Sequence, residues 1–359
     1  MAGRPNALMS ATAVADRDEA LATPFTRHAH VNVPLVCGAM YPCSNPELVA
    51  AVSEAGAIGI VQPISLTYVH GHEFRAGLRY IRGLTSRPIG FNALIERSSR
   101  RYHERMVAWV DVALEEGIRF FVTSLGNPRW VVERVAQVGG VVYHDVTERR
   151  WAQKGLSAGV HGLIAVNDRA GGHAGPLSAA KLLDDVADLG LPVVCAGGIG
   201  SPHDYVAALR MGYAAAQLGT RFIATAECRA HPRYKQAIID ADERDIVLTE
   251  RLTGIPVSVI ETPYIRRIGT SAGWLAKRLL RGPRTKHLMR TGYALRSLWQ
   301  LKRGLLRGDE TADYWQAGKS VATIEAEVAT ADVVRSFADA ARASVATAGP
   351  LPAPNTVRR

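Results

Sequence analysis

The stretch PVVCAGGIGSPHDYVAALRMG (residues 192–212) contains one complete strand–loop–helix unit. Its short apolar run is typical of a buried strand, and the amphipathic segment that follows is typical of a helix. Ser201-Pro202 suits the first turn of that helix, because serine caps free N–H groups and proline tolerates the first helical position. Gly212 suits the end of the helix, where a left-handed residue is common.

The same unit recurs through the first two thirds of the chain. Strand-like apolar runs occur at residues 33–36, 57–61, 88–94, 120–123, 140–143, 162–166, 192–196 and 214–218. The inferred helices between them repeatedly end at a glycine, namely at Gly56, Gly117, Gly159, Gly190 and Gly212. Eight strands alternating with helices predict an α/β fold of the (β/α)8 TIM-barrel type. A doubly wound open sheet is the alternative, but the G-x-G-x-x-G turn that favours it is absent after the first strand.

The domain organisation follows from where this pattern begins and ends. The predicted barrel covers residues 31–229. Residues 1–30 lack the apolar core of a secretory signal and are expected to form a flexible tail. Residues 230–344 are expected to form a mainly helical extension that packs over the barrel mouth, and the proline-containing residues 345–359 a disordered tail.

The composition excludes several classes of protein. The chain has 359 residues, 47% hydrophobic and 21% charged, which is typical of a globular protein. No apolar run approaches the roughly 18 residues of a membrane span. Its four cysteines form no C-x-x-C or Cys/His cluster, so neither a disulfide framework nor a metal site is predicted, and a cytoplasmic location is expected.

The positive charge is concentrated in one segment. The formal net charge is +10, and residues 264–310 alone contain twelve Lys or Arg and two acidic residues. The rest is formally neutral, so a nucleic-acid partner is not expected for the main domain. This segment contains an apolar stripe of Leu295, Leu298, Leu305 and Leu306, with Trp299 and Leu301 nearby. The stripe is expected to pack on the barrel. The Lys and Arg residues of the segment would then lie above the barrel mouth and attract anionic substrates. A solvated basic face and a membrane-surface helix are the alternatives.

The functional site of a TIM barrel lies at the carboxyl ends of its strands. Asn92, Ser124 and His144 lie at three of those predicted ends. Ser124 and His144 are candidate substrate-binding residues, although a structural role is equally open for His144.

Glycines cluster after the last two predicted strands. AGGIG (196–200) follows the seventh strand, and QLGT (217–220) ends and follows the eighth. Glycines let the backbone approach a ligand, and free N–H groups at a following helix start bind phosphate. These loops therefore predict a phosphate site for a nucleotide-like cofactor, for which FMN is the candidate.

The loop after the sixth strand contains the candidate catalytic residue. In NDRAGGHAG (167–175), His173 is flanked by glycines that allow the backbone to pass close to a flat ring. Histidine exchanges protons near neutral pH, which suits general acid–base catalysis.

Several motifs together resemble the nitronate monooxygenase family, formerly called 2-nitropropane dioxygenase. They are VPLVCGAM (33–40), NPELVAAVSEAGAIG (45–59), GFN (90–92), AGGHAG (170–175), AGGI (196–199) and QLGTRF (217–222). They follow the family's order over about residues 33–226.

The resemblance implies an FMN-dependent barrel that oxidises alkyl nitronates with O2, giving a carbonyl compound and nitrite. It implies that His173 is the active-site histidine. The residues it places at the cofactor are Gly38, Ala39, Met40, Asn92, Gly172, Gly197, Gly198, Gln217, Gly219 and Thr220. The chain departs from the family at Arg169, where Glu is common, at Cys37, where Gln is usual, and at Lys319, where Gln follows glycine. These departures leave the substrate open.

Two other functions remain open. Flavin-dependent enoyl-acyl-carrier-protein reductases, which use NAD(P)H, share the Gly-Gly-His loop, and the basic segment suits an acidic carrier protein. The other is a non-catalytic flavin-binding or nucleic-acid-associated barrel. If the chain is instead a nitronate monooxygenase, its expected partners are a small nitronate and O2, and a homodimer remains open.

Overall fold

The computed structural model describes residues 19–96, 99–252, 256–271 and 285–353, with the backbone alone at 285–295. Eight parallel strands form a closed barrel in sequential order. They are β1 (Leu35–Cys37), β2 (Ile58–Val61), β3 (Gly90–Leu94), β4 (Phe120–Ser124), β5 (Val141–Val146), β6 (Gly162–Val166), β7 (Val193–Ala196) and β8 (Ala215–Leu218). The prediction of a TIM barrel is confirmed, and each predicted strand is present.

Helices cover the outside of the barrel and continue beyond it. They are α1 (Pro24–Ala29), α2 (Pro46–Glu54), α3 (Phe74–Leu84), α4 (Arg100–Glu115), α5 (Arg129–Ala136), α6 (Arg149–Ser157), α7 (Ala179–Val186), α8 (Pro202–Met211), α9 (Thr220–Ile223), α10 (Pro232–Asp240), α11 (Pro263–Ile268), α12 (Thr285–Arg307) and α13 (Thr330–Ala348). The five glycines predicted after helices all have positive φ, between 73° and 111°, the conformation that favours glycine.

Side chains of the strands alternate between the lumen of the barrel and the layer beneath the helices. The lumen cluster contains Val36, Ile58, Ile60, Phe120, Val122, Tyr143, Ile164, Val194 and Ala215. The intervening residues, such as Phe91, Phe121 and Val142, belong to the larger cluster under the helices. This alternation decides which side chains near the carboxyl ends of the strands can reach a ligand.

The helix α1 packs into the amino end of the barrel. Phe25 is fully buried, and its ring lies 5.6 Å from that of Phe120 and 5.7 Å from that of Tyr143, both edge to face. Thr23 and Thr26 form a capping box at the start of the helix. The prediction of a flexible tail is therefore wrong for residues 19–30, because these side chains complete the lumen core; residues 1–18 lie outside the described residues.

The extension contains strands as well as helices. β9 (Ile246–Thr249) and β10 (Val257–Ile260) form an antiparallel pair between the helices of the extension. The last helix, α13, packs beside α8, with the rings of Tyr205 and Phe337 5.4 Å apart. Residues 345–348 belong to α13, so the prediction of a disordered tail is wrong there, and residues 354–359 lie outside the described residues.

The helix α12 lies near the loops that follow β1 and β2. The Tyr41 hydroxyl donates to the Leu298 carbonyl oxygen at 2.8 Å, and Lys302 Nζ donates to the Tyr68 carbonyl oxygen at 2.6 Å. Leu301 and Leu305 are buried as predicted, whereas Trp299 and Leu306 are 52% and 57% exposed. The predicted stripe is wrong for these two residues, because they lie on the opposite side of the helix from Leu301 and Leu305. The side chain of Leu295 and residues 272–284 lie outside the described residues. Among the residues that the structure does describe, no helix is long and apolar enough to cross a membrane.

Candidate active site

Polar side chains line the lumen at the carboxyl ends of the strands. Asn92, Ser124 and Gln217 follow lumen residues at a spacing of two on β3, β4 and β8, so they point inward. Asn92 is 8% exposed, and its amide forms no hydrogen bond with the described residues. The Gln217 Oε1 atom is buried and also lacks a described partner. Buried polar atoms are normally paired, so these amides are suited to a ligand.

The first and last strands meet closely at this end of the barrel. A Cβ atom on Gly38 would lie 2.9 Å from Gln217 Cγ, so only glycine fits beside that side chain. Ala39 packs against the lumen cluster. Met40 Sδ lies 3.4 Å from the position of a Cβ on Gly219, which places the loops after β1 and β8 in contact.

The glycine loops after β7 and β8 leave backbone donors free. Gly197 and Gly198 have φ of 117° and 78°. Among the described residues, none accepts a hydrogen bond from the N–H of Gly197, Gly198, Gly219 or Thr220. Because β7 and β8 are neighbours, these donors lie at the ends of adjacent strands, as an anion site requires.

Two details differ from the predicted phosphate site. The N–H groups at the start of α8 are not free for a phosphate, because Asp204 Oδ2 accepts hydrogen bonds from the N–H groups of Gly200 and Ser201 at 3.1 and 3.0 Å. The Thr220 Oγ1 atom accepts the Gly318 N–H at 3.0 Å, so its hydroxyl binds the extension. Any anion bound here would therefore meet the glycine-loop N–H groups.

The loop that carries His173 is held from both sides. Asn167 is fully buried and donates to the Gly197 carbonyl oxygen at 3.0 Å, while its Oδ1 accepts the Arg169 N–H at 2.9 Å. Gly172 and Ser258 on β10 exchange backbone hydrogen bonds of 3.3 and 2.7 Å. Gly172 has φ of 67°, so the turn favours glycine.

His173 is exposed at the mouth, and its ring has no hydrogen-bond partner among the described residues. The surrounding protein still desolvates the ring enough to lower its pKa below the ordinary 6.5. The imidazole is therefore mainly neutral at pH 7 and able to accept a proton.

His144 does not belong to this site. It lies within β5 rather than after it and points toward α6, with Cδ2 3.3 Å from the position of a Cβ on Gly155. Its Nδ1 is 2.9 Å from the Thr123 hydroxyl oxygen, and burial lowers its pKa to about 4. The prediction that His144 binds substrate is wrong, since strand alternation places it on the outer face.

Sequence reasoning missed two features of the mouth. Asp145 points into the lumen, and its Oδ1 is buried without a described partner; alternation from Tyr143 would have identified it. Arg169 forms a bidentate ion pair with Glu243, with both N–O distances 2.9 Å, and Glu243 also lies 3.3 Å from Lys319. No local sequence signal connects residues so far apart in the chain.

Comparison with known proteins finds one family and several relatives that match most of the chain. A family model described as nitronate monooxygenase matches residues 23–339. A Mycobacterium tuberculosis protein named (3aS,4S,5R,7aS)-5-hydroxy-7a-methyl-1-oxo-octahydro-1H-indene-4-carboxyl-CoA dehydrogenase is 28% identical over 69% of this chain and 68% of its own. A Pseudomonas aeruginosa nitronate monooxygenase is 29% identical over 64% of this chain and 77% of its own.

Solved structures agree with the fold over nearly the whole chain. FabK from Thermotoga maritima has a TM-score of 0.75 at 26% identity, covering 91% of this chain and 98% of that one. A nitroalkane oxidase from Streptomyces ansochromogenes has a TM-score of 0.69 at 25% identity, covering 89% of this chain and 99% of that one.

Proposed function

We propose that this chain, which belongs to the nitronate monooxygenase family, is an FMN-dependent enzyme that oxidises alkyl nitronates with O2 to a carbonyl compound and nitrite. The observation that carries the proposal is one arrangement at the barrel mouth. There, buried amides and glycine-loop N–H groups that have no partner among the described residues, together with an exposed neutral histidine, occupy the carboxyl ends of the strands.

The described residues fit a flavin mononucleotide. Gln217 and Asn92 would hydrogen-bond the polar edge of the ring, beside the backbone of Gly38, Ala39 and Met40. The N–H groups after β7 and β8 would bind the single phosphate. Bound FMN would supply an electron-accepting ring, with O2 as the final oxidant.

His173 would act on the proton of a neutral nitroalkane. A nitronate has already lost its α-proton, so it needs binding and orientation but no base. A neutral nitroalkane needs that proton removed first, and the neutral imidazole of His173 can accept it. The hydrogen bonds of Asn167 and Ser258 keep the loop in one place, which favours such a transfer.

A second candidate is thioester chemistry, either reduction of an enoyl thioester or oxidation of an acyl-CoA. It is favoured by the basic helix α12, which lies near the loops after β1 and β2 through Leu298 and Lys302 and carries the exposed Arg296 and Arg307. Cations there would attract the phosphates of a coenzyme A or carrier-protein thioester.

Three measurements on the purified protein test the cofactor and separate these functions. Flavin released by heat should be FMN; release of FAD, or no flavin after reconstitution, would contradict the cofactor. Aerobic 2-propyl nitronate should yield acetone and nitrite. If NADH instead bleaches the flavin rapidly without O2, and an enoyl thioester restores its colour, the protein is an enoyl-thioester reductase and not a nitronate-oxidising enzyme.

A further inference from the structure

Asp145 is an ionisable residue on β5, and its side chain points into the lumen near the mouth of the barrel. Its neighbour Tyr143 contacts Phe25 and Phe120 inside the barrel, and His144 faces α6 on the outside. Alternation therefore directs the Asp145 side chain inward, one layer closer to the mouth than Tyr143. In the register Thr123 lies beside His144, so Ser124 lies beside Asp145.

The Asp145 carboxyl group has no partner inside the described protein. Its Oδ1 is buried without a hydrogen bond, although the residue as a whole is partly accessible. The outer face of β5 is covered by α6, and both edges are paired with β4 and β6. The remaining access to Asp145 is therefore through the lumen.

The surroundings favour the protonated carboxyl group. The adjacent lumen side chains on the flanking strands are Ser124, Ile164 and Val166, and none of them ionises. No charged group of the described chain contributes to the shift, and desolvation alone raises the pKa of Asp145 to about 7. The protonated group can donate a hydrogen bond, which an ionised carboxylate cannot.

The position of Asp145 relative to the flavin residues points to a different ligand. In the closed eight-strand order, β5 lies opposite β1, which carries Gly38 and the loop to Met40. Gln62, on the loop after β2, already has a partner, since its Oε1 accepts the Ser65 N–H at 2.6 Å. Asp145 thus faces the flavin-binding side from across the mouth, where a substrate would lie.

We propose that the Asp145 carboxyl group donates a hydrogen bond to an oxygen of the substrate bound in the barrel mouth. This inference rests on the proposed function, in which the substrate is a nitronate with two negatively charged oxygens. A neutral donor stabilises such an anion, whereas the ionised carboxylate repels it. Asp145 is then a substrate-binding residue that selects for anionic oxygen.

Binding of isobutyrate, a carboxylate with the shape of 2-propyl nitronate, tests the contact without turnover. Calorimetric titrations of the FMN-loaded protein would run between about pH 6 and about pH 8.5, where isobutyrate remains an anion. The wild-type Kd should rise by up to about tenfold per pH unit above about pH 7, as one proton is lost from Asp145. Asp145→Asn keeps a donor that does not ionise, so its Kd should stay constant over this range. Asp184→Asn on the exposed face of α7 is the matched control and should follow the wild type.

Thermal unfolding of the same variants is independent of any substrate. Asp145→Asn should raise the Tm relative to wild type by an amount that grows from about pH 4, where the carboxyl group of the unfolded chain ionises, to about pH 7, where that of the folded protein ionises, and then stays constant. If that Tm difference appears while both proteins share one pH profile of Kd, Asp145 does not touch the ligand and the inference is wrong. Failure of both proteins to bind isobutyrate at about pH 6 overturns it as well. If the Kd profiles differ as expected but nitronates are not oxidised, only the proposed function fails.

Discussion

The outer and inner faces of β5 use burial for different purposes. His144 on the outer face is closed in by Gly155 and lies 2.9 Å from the Thr123 hydroxyl oxygen. Asp145 on the inner face has a buried oxygen without a described partner and opens toward the lumen. Desolvation shifts the pKa of both groups toward the neutral form, yet only the inner one is left for a ligand. Paired polar groups on the outside stabilise the barrel, and unpaired ones on the inside are available for chemistry.

The largest expected effect lies on the inner side, at His173. His173→Ala should reduce turnover of a neutral nitroalkane by about 10²–10⁴-fold, because the base that removes its proton is lost. Turnover of the preformed nitronate should fall much less, and FMN should remain bound. Steady-state kinetics with both substrates measures the divergence, with the exposed His203→Ala on α8 as the control. Equal losses for the two substrates would show that His173 is not the base.

On the outer face of β5, His144 should affect the free energy of unfolding rather than turnover. The pKa of His144 is about 4 in the folded protein against an ordinary 6.5, so the unfolded chain binds the proton more readily between these values. Stability is therefore full above about pH 6.5 and falls as the pH decreases toward 4, by about 3 kcal/mol in the limit.

Replacing His144 by Asn removes that titration. The fall in unfolding free energy between pH 6.5 and 4 should be shallower in His144→Asn than in wild type, and shallower than in the surface variant His203→Asn. Denaturant unfolding at several pH values measures the slopes. Parallel slopes in all three proteins would mean that His144 gains a proton at no cost, contrary to its closed environment.

Sequence alone was enough for the barrel, because each strand and each glycine-ended helix depends on local residues. It was not enough for the faces of β5. The apolar run ends at Tyr143, so His144 and Asp145 looked like a loop, although hydrogen bonds to β4 and β6 continue the strand to Val146. Which of two alternating residues enters the lumen depends on the closure of all eight strands. The same holds for Trp299, whose exposure depends on how α12 meets the barrel.

Asn167 tests whether a paired polar residue outside the lumen can hold the chemistry inside it. Its side chain bonds both the Gly197 carbonyl oxygen and the Arg169 N–H, so Asn167→Ala leaves two backbone groups unpaired. We expect a loss of about 1–3 kcal/mol in stability. The FMN affinity should also weaken, because the two loops lose their connection.

Thermal unfolding and fluorescence titration with FMN measure these two effects. Asn127→Ala is a useful control, since Asn127 accepts the Arg129 N–H at 3.0 Å in an exposed loop. A loss of stability with unchanged FMN affinity would mean that Asn167 stabilises the barrel but does not shape the cofactor loops.

The smallest expected effect lies outside the barrel wall altogether, on α12. Arg296 and Arg307 are exposed, so their attraction for an anion at the mouth is screened by salt. Arg296→Glu with Arg307→Glu should raise the KM for an anionic nitronate only a fewfold at low ionic strength, with kcat unchanged and the difference absent at high salt. Arg150→Glu with Lys154→Glu, which reverses two cations beside Trp151 on α6, should leave KM unchanged. KM could be unaffected by the α12 variant while binding to anionic lipid vesicles is lost. In that case α12 binds a membrane surface, and its charge does not contribute to substrate binding at the inner face of the barrel.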